Sequence, residues 1–289
     1  MTLRPETTPA PQPGAIFTES TITSTSDAPK PTPLPDRTVP EPTPSKPEHP
    51  RDPPSFTQPK LRLEIRDLSH PGAAKFLSSI DTCAVFADAV RHVQRLLYRS
   101  PSDPHTNVPP TRSVTLVLRD MDGVAYTTGI DLDDDHKEIH FSLSYINSIQ
   151  PARLPAEITG VLTHELVHCY QWNACDSCPG GLIEGIADWV RLCCDLSPPH
   201  WKRETGGDWD QGYQHTAYFL QYLETRFGEG TVRRINEKLR LHKYTAKPFW
   251  TELLGRPVEQ LYADYAGAGK GKGESPGGCG TVDDATQTS

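Results

Sequence analysis

The sequence has no long apolar run and no concentration of basic residues. No stretch reaches the roughly 18 apolar residues that a membrane-spanning helix needs, so we expect no membrane partner. The chain has 37 Asp and Glu residues against 29 Lys and Arg, a net charge of -8, and nucleic acid is not an expected partner. The N-terminus lacks the apolar core of a signal peptide, which makes the cytoplasm the default expectation.

Large apolar residues are scarce in residues 1–59, which hold 16 of the 29 prolines among many Thr and Ser. Such a segment cannot bury enough surface to offset its ordering entropy, so we predict a disordered tail that could bind a proline-motif partner. Apolar periodicity begins at about residue 60 and continues to 266, which predicts one folded domain. Residues 267–289 are rich in Gly and predict a flexible tail.

The order of the predicted elements indicates an α+β fold. Residues 61–67 alternate as a half-buried strand does, and residues 73–98 have helical periodicity. Three short strands follow at 113–120, 123–129 and 137–143, and we expect a small sheet that is mixed or largely antiparallel. After Pro155 the pattern is helical, with helices predicted at 156–172, 181–194, 212–227 and 231–241 and two short segments around Phe249 and Leu261.

The central motif is His164-Glu165-Leu166-Val167-His168 on the predicted helix 156–172. Residues four apart lie on one face of a helix, so His164 and His168 can bind one metal ion. Glu165 projects about 100° around the axis, beside the open coordination position, where it can accept a proton from a bound water. The motif therefore predicts a catalytic metal site.

A second helix, LIEGIADWVRL, supplies Glu184 and, one turn later, Asp188. Glu184 provides a third ligand, and Asp188 can hydrogen-bond a ligating histidine and fix its tautomer. Two His, one Glu and a water form an open catalytic arrangement, whereas structural zinc sites are closed and usually rich in Cys. We predict one zinc ion bound by His164, His168 and Glu184, with Asp188 behind a histidine.

Several segments resemble the plant and microbial basic secretory proteins, which are regarded as zinc metallopeptidases. The resemblance covers about residues 60–265 and rests on GVLTHELVHCYQWN, PGGLIEGIADWVRL, DWDQGYQHTAYFLQYLETRFGEG, SVTLVLRDMDGVAYTTG and KEIHFSLSYI. The order of strands, an H-E-x-x-H helix and an E-x-x-x-D helix is similar to the zincin fold of thermolysin-like gluzincins. The family is mostly secreted, whereas this chain is acidic, with a pI near 5.8, and has a proline-rich tail.

The resemblance implies a zincin-like domain with the same site residues. His164, His168 and Glu184 would be the ligands, Glu165 the general base, and Asp188 the hydrogen-bond partner of a ligand. A zinc peptidase also needs a donor for the oxyanion of its tetrahedral intermediate. Tyr213 is the inward-facing candidate on the helix 212–227, although an ordinary amphipathic core tyrosine fits equally well.

Other candidate groups favour structural roles. Cys175 and Cys178 form a C-x-x-C pair, for which we expect a loop disulfide or free thiols, because Cys193 and Cys194 point about 100° apart and could complete a second zinc site only under strain. The odd total of seven cysteines leaves the redox compartment open. The acidic run at residues 131–135 lacks the spacing of a calcium loop and predicts a solvated turn, and His140 is expected to be structural.

The sequence thus predicts a zinc-dependent peptidase, with Glu165 moving the proton and the substrate extended along an edge strand near residues 124–129. The alternative is a zinc-stabilised module that binds a peptide or glycan without cleaving it. A missing Glu165 would have favoured that alternative.

Overall fold

The computed structural model describes residues 55–268, so the predicted tails lie outside the described residues except at their inner ends. The described part has four strands and nine α-helices, and the predicted α+β class is confirmed. The elements are β1 (Lys60–Ile65), α1 (Pro71–Ser79), α2 (Thr82–Tyr98), β2 (Ser113–Arg119), β3 (Ala125–Ile130), β4 (Asp133–Ser142), α3 (Leu143–Ser148), α4 (Leu154–His168), α5 (Gly180–Cys193), α6 (Tyr213–Phe227), α7 (Thr231–Lys238), α8 (Ala246–Leu254) and α9 (Val258–Ala268).

The sheet is mixed, with the strand order β1-β2-β4-β3. β1 pairs with β2 and β2 with β4 in parallel, and only β3 and β4 are antiparallel. Of the two expected arrangements, the mixed sheet is confirmed and the largely antiparallel sheet is wrong. Helices α1 and α2 return the chain to the end where β1 began, which makes β2 parallel to β1. The chain then runs back along the sheet edge as β3 and reverses, so that β4 inserts between β2 and β3.

The helix predicted over 73–98 is two helices, α1 and α2. Ile80 between them is extended, and the Asp81 carboxylate caps α2 by accepting a hydrogen bond from the Ala84 N–H at 3.1 Å. Apolar spacing continues across the break and therefore cannot detect it. The short helix α3 was also missed, because its apolar residues directly follow the last strand.

The acidic run is only partly a turn. Asp131 and Leu132 reverse the chain, but Asp133–Asp135 already belong to β4. Asp133 pairs with Arg112, and Asp134 lies 2.7 Å from the Lys137 ammonium. Basic partners from the sheet thus neutralise part of the run, and the predicted solvated turn is shorter than expected.

His140 is buried in β4, in keeping with a structural role. Its ring stacks on Tyr126 of β3 with 4.6 Å between centroids, and its Nε2 lies 3.0 Å from the Glu138 carboxylate. The stacking joins the edge strand β3 to β4, whereas the Glu138 contact lies within β4.

Residues 55–59 contact the domain, although their composition resembles that of the tail. Phe56 packs against the hydrophobic core, and the Gln58 amide donates a hydrogen bond to Gln94 of α2 at 2.9 Å. Gln94 in turn donates to the Thr57 carbonyl at 3.1 Å. Ordered contacts therefore begin slightly before β1. In the described range no helix has the length and apolarity to cross a bilayer.

Cys175 and Cys178 are both free thiols, so the loop disulfide is not formed. They lie in the connection between α4 and α5, where Ala174, Cys175 and Asp176 all have positive φ. Burial raises the pKa of Cys178 to about 12. At neutral pH this thiol is therefore protonated.

Helix α4 is the centre of the described domain. It packs against α2, α5 and β3, and its apolar residues Ile158, Leu162, Leu166 and Val167 are fully buried. A helix that is apolar on most sides belongs to the interior of a fold. The two histidines of α4 therefore lie inside the domain and face α5.

Close backbone packing fixes the segment that leads into α6. A Cβ added to Gly181, at the start of α5, would lie 1.6 Å from the Asp210 carbonyl oxygen and 2.4 Å from its carbon. Both atoms belong to rigid backbone, so only glycine allows this approach. At the neighbouring Gly180 an added Cβ would meet no described atom within 4 Å.

We predict that Gly181→Ala destabilises the domain by about 1–3 kcal/mol, because the backbone near Asp210 must move away. Gly180→Ala is the matched control and should change the free energy of unfolding by less than about 0.5 kcal/mol. Urea unfolding of both variants measures the difference. Equal stabilities would show that the two segments are not in close contact.

Candidate metal centre

Helices α4 and α5 bring three metal-ligating side chains to one point. The His164 Nε2 lies 3.2 Å from the His168 Nε2 and 3.1 Å from the Glu184 Oε2. The His168 Nε2 lies 3.8 Å from the Glu184 Oε1. Zinc bonds of about 2.0–2.2 Å in a tetrahedron place neighbouring donor atoms roughly 3.3–3.6 Å apart. The three observed distances lie close to this range, so small side-chain shifts would let the group hold one ion.

Asp188 lies behind this group and orients His164. Its Oδ1 is 2.6 Å from the His164 Nδ1, and both residues are buried. The carboxylate can only accept, so Nδ1 carries the proton of this hydrogen bond and Nε2 points toward Glu184 and His168. A carboxylate behind a ligating histidine is the usual way to fix the tautomer that binds a metal.

The two histidines have opposite electrostatic environments. Burial lowers the pKa of His164, but the hydrogen bonds to Asp188 and Glu184 outweigh it and raise the pKa to about 9. Burial, followed by the positive charge of His164, lowers the pKa of His168 to about 4. The carboxylates thus hold a positive charge between them, and a metal cation would supply that charge in place of the proton.

Glu165 lies next to the three candidate ligands without joining them. It is buried, and its carboxylate Oε2 accepts a hydrogen bond from the Thr127 hydroxyl of β3 at 2.7 Å. Burial raises the pKa of Glu165, while the neighbouring His164 and the Thr127 hydrogen bond act in the opposite direction. A carboxylate with a raised pKa is a better proton acceptor than one in water.

Tyr213 reaches the site from the start of α6, but its orientation differs from the prediction. We expected an inward-facing side chain, whereas Tyr213 is 59% exposed. Its backbone has a φ of 46°, and Gly212 before it has a φ of 87°, so Tyr213, the first residue of α6, lacks a regular helical φ. The Tyr213 ring lies parallel to that of His164 at 6.2 Å, and the charge of Glu184 raises the pKa of its hydroxyl.

These residues line a cavity of about 920 Å³. One wall is the segment Val124–Thr127 at the edge of the sheet, and α4 and α5 form the floor. Elsewhere in the cavity, the Arg191 guanidinium lies 3.0 Å from the Glu157 carboxylate and 5.3 Å from the centre of the Trp201 ring. The cavity therefore joins a candidate metal centre to an aromatic, charge-paired region.

Sequence reasoning missed several residues of this cavity, among them Glu157, Arg191 and Thr127. Glu157 precedes His164 by seven positions and Arg191 follows Glu184 by seven, so each lies two turns away on the same helical face. That spacing could have identified both. No such spacing identifies Thr127, and the neighbouring Thr128 is the same residue type, so the sequence does not tell which of the two faces the cavity.

A comparison with protein families places these residues in a known group. The sequence profile of the BSP family, described as "Peptidase of plants and bacteria", matches residues 58–265. The matched range includes the sheet, α4 and α5 and well over half of the 289 residues. No curated protein and no solved structure matches the chain. The predicted resemblance is confirmed, and the chain belongs to the BSP family of peptidases of plants and bacteria.

Proposed function

We propose that this protein is a zinc-dependent peptidase with a zincin-like active site. The observation that carries the proposal is the convergence of His164, His168 and Glu184 in a cavity where Glu165 lies beside them. Membership of a peptidase family supports the choice of peptides or proteins as substrates. His164, His168 and Glu184 would hold the ion, and Asp188 would orient His164.

When bound, zinc supplies Lewis-acid chemistry that polarises a scissile carbonyl and lowers the pKa of a water molecule. Glu165 accepts the proton of the attacking water and delivers it to the leaving amine. Its burial supports this role, because a carboxylate in an apolar setting binds a proton more readily than one in water.

The substrate would lie along β3, one of the two edge strands of the sheet. Residues 124–127 line the cavity, and an extended peptide can add to a free strand edge through main-chain hydrogen bonds. Tyr213 contributes a protonated hydroxyl at the mouth of the cavity. It is the candidate donor for the developing oxyanion.

We predict that Glu165→Gln lowers kcat by at least about 100-fold while zinc remains bound. Glutamine keeps the shape of the side chain and leaves both histidines in place, but its amide cannot accept the water proton. Hydrolysis of an unstructured substrate such as casein, with a chelator control, measures the effect. Zinc content is determined on the same samples by elemental analysis.

Glu252→Gln is the matched control, since Glu252 is an exposed residue of α8 outside the cavity. It should keep wild-type activity. Equal residual activity in wild type and Glu165→Gln would mean that Glu165 is not the general base. A zinc-loaded wild type that cleaves no unstructured peptide would contradict the peptidase proposal and favour a zinc-stabilised binding module.

We also predict that Asp188→Asn weakens zinc affinity by about 10- to 100-fold without abolishing it. Asparagine keeps the size of Asp188 but loses the charge that orients His164. Competition with a chromophoric chelator gives the affinity. The control is Asp88→Asn, a half-exposed carboxylate of α2 outside the cavity, which should bind zinc as the wild type does. An unchanged affinity in Asp188→Asn would remove Asp188 from the metal centre.

A further inference from the structure

The side chain of Thr127 connects the edge strand to the candidate general base. Its Oγ1 lies 2.7 Å from the Glu165 carboxylate Oε2 and 3.0 Å from the Glu165 carbonyl oxygen. Thr127 is half-buried on β3, and Glu165 is buried on α4. These two atoms of Glu165 thus lie within hydrogen-bond distance of one hydroxyl.

A hydroxyl has a single proton, so it can donate fully to only one of the two acceptors. The carboxylate is the shorter contact and carries charge, and charge-assisted hydrogen bonds are roughly twice as strong as neutral ones. The Glu165 carbonyl has another donor, because the Cys169 thiol lies 3.7 Å from it. The Thr127 proton therefore belongs to the carboxylate.

The hydrogen bond fixes one oxygen of Glu165 and leaves the other oxygen available. Strand alternation turns Thr127 toward α4, whereas Thr128 is exposed on the opposite face of β3. Thr127 also lines the cavity next to the segment proposed to receive the substrate. The same strand residue can thus set the position of the carboxylate relative to a peptide bound on that strand.

We propose that Thr127 is a positioning residue, whose hydroxyl holds the Glu165 carboxylate in the orientation that accepts the water proton. This inference rests on the proposed peptidase function. Thr127 acts through Glu165 and touches neither the ligands nor the scissile bond. Its removal should lower kcat and leave KM nearly unchanged, since binding of the peptide backbone to β3 is retained.

The test separates the hydroxyl of Thr127 from its methyl group. Thr127→Val keeps the shape and loses the hydroxyl, while Thr127→Ser keeps the hydroxyl and loses the methyl. We expect kcat to fall about 10- to 100-fold in Thr127→Val, with KM within about twofold of wild type, and to recover in Thr127→Ser. Thr251→Val, on α8 and outside the cavity, is the control for the loss of a threonine hydroxyl and should match the wild type.

Crystal structures of zinc-loaded wild type and Thr127→Val provide a readout besides activity. The proposal expects full zinc content in both, with the Glu165 carboxylate in one orientation in the wild type and displaced or in several orientations in Thr127→Val. An unmoved carboxylate, or a Thr127→Ser variant as impaired as Thr127→Val, would overturn the positioning role. A wild type that binds zinc but cleaves nothing would contradict the peptidase function instead, while the two structures would still report on the carboxylate.

Discussion

The hydrogen bond between His164 and Asp188 constrains the rest of the site, because it joins α4 to α5 in the interior of the domain. Helix α4 brings two imidazoles and a carboxylate into an apolar core, and burying such groups without partners is strongly unfavourable. α5 supplies Asp188 and Glu184, and β3 supplies Thr127. The same contacts that satisfy the polar groups of α4 therefore determine how its two neighbours pack against it.

Glycines make this close packing possible. A Cβ at Gly160 of α4 would lie 2.6 Å from the Arg191 Nε, and one at Gly185 of α5 would lie 2.3 Å from the methyl carbon of Thr216. Because glycine has no side chain, Arg191 can cross α4 at Gly160 and α6 can approach α5 at Gly185. The Arg191–Glu157 pair is nearly buried, and removing one partner of such a pair typically costs about 3–5 kcal/mol.

The sequence predicted the features that depend on spacing within one helix. His164 and His168 share a helical face because they are four residues apart, and the same is true of Glu184 and Asp188. The two pairs meet wherever the two helices pack face to face. Periodicity does not encode how the chain crosses over between strands, so it could not predict strand direction. Nor does it encode the cap that breaks the helix at Asp81, or the contact between Thr127 and a residue distant in sequence. Tyr213 was misplaced because a helical projection assumes regular φ at the first residue of α6.

The charges of the cavity bear on the choice between the proposed catalysis and simple binding. At one end Arg191 neutralises Glu157, whereas Glu184, Asp188 and Glu165 lie together at the other end. A module that only bound zinc would need His164, His168 and Glu184 with Asp188 behind them. It would have no use for Glu165, whose buried charge lowers stability unless it is compensated. The Glu165 carboxylate accepts a hydrogen bond from Thr127 and lines the cavity, as expected of a group that moves a proton. Its presence therefore supports a peptidase over a binding module.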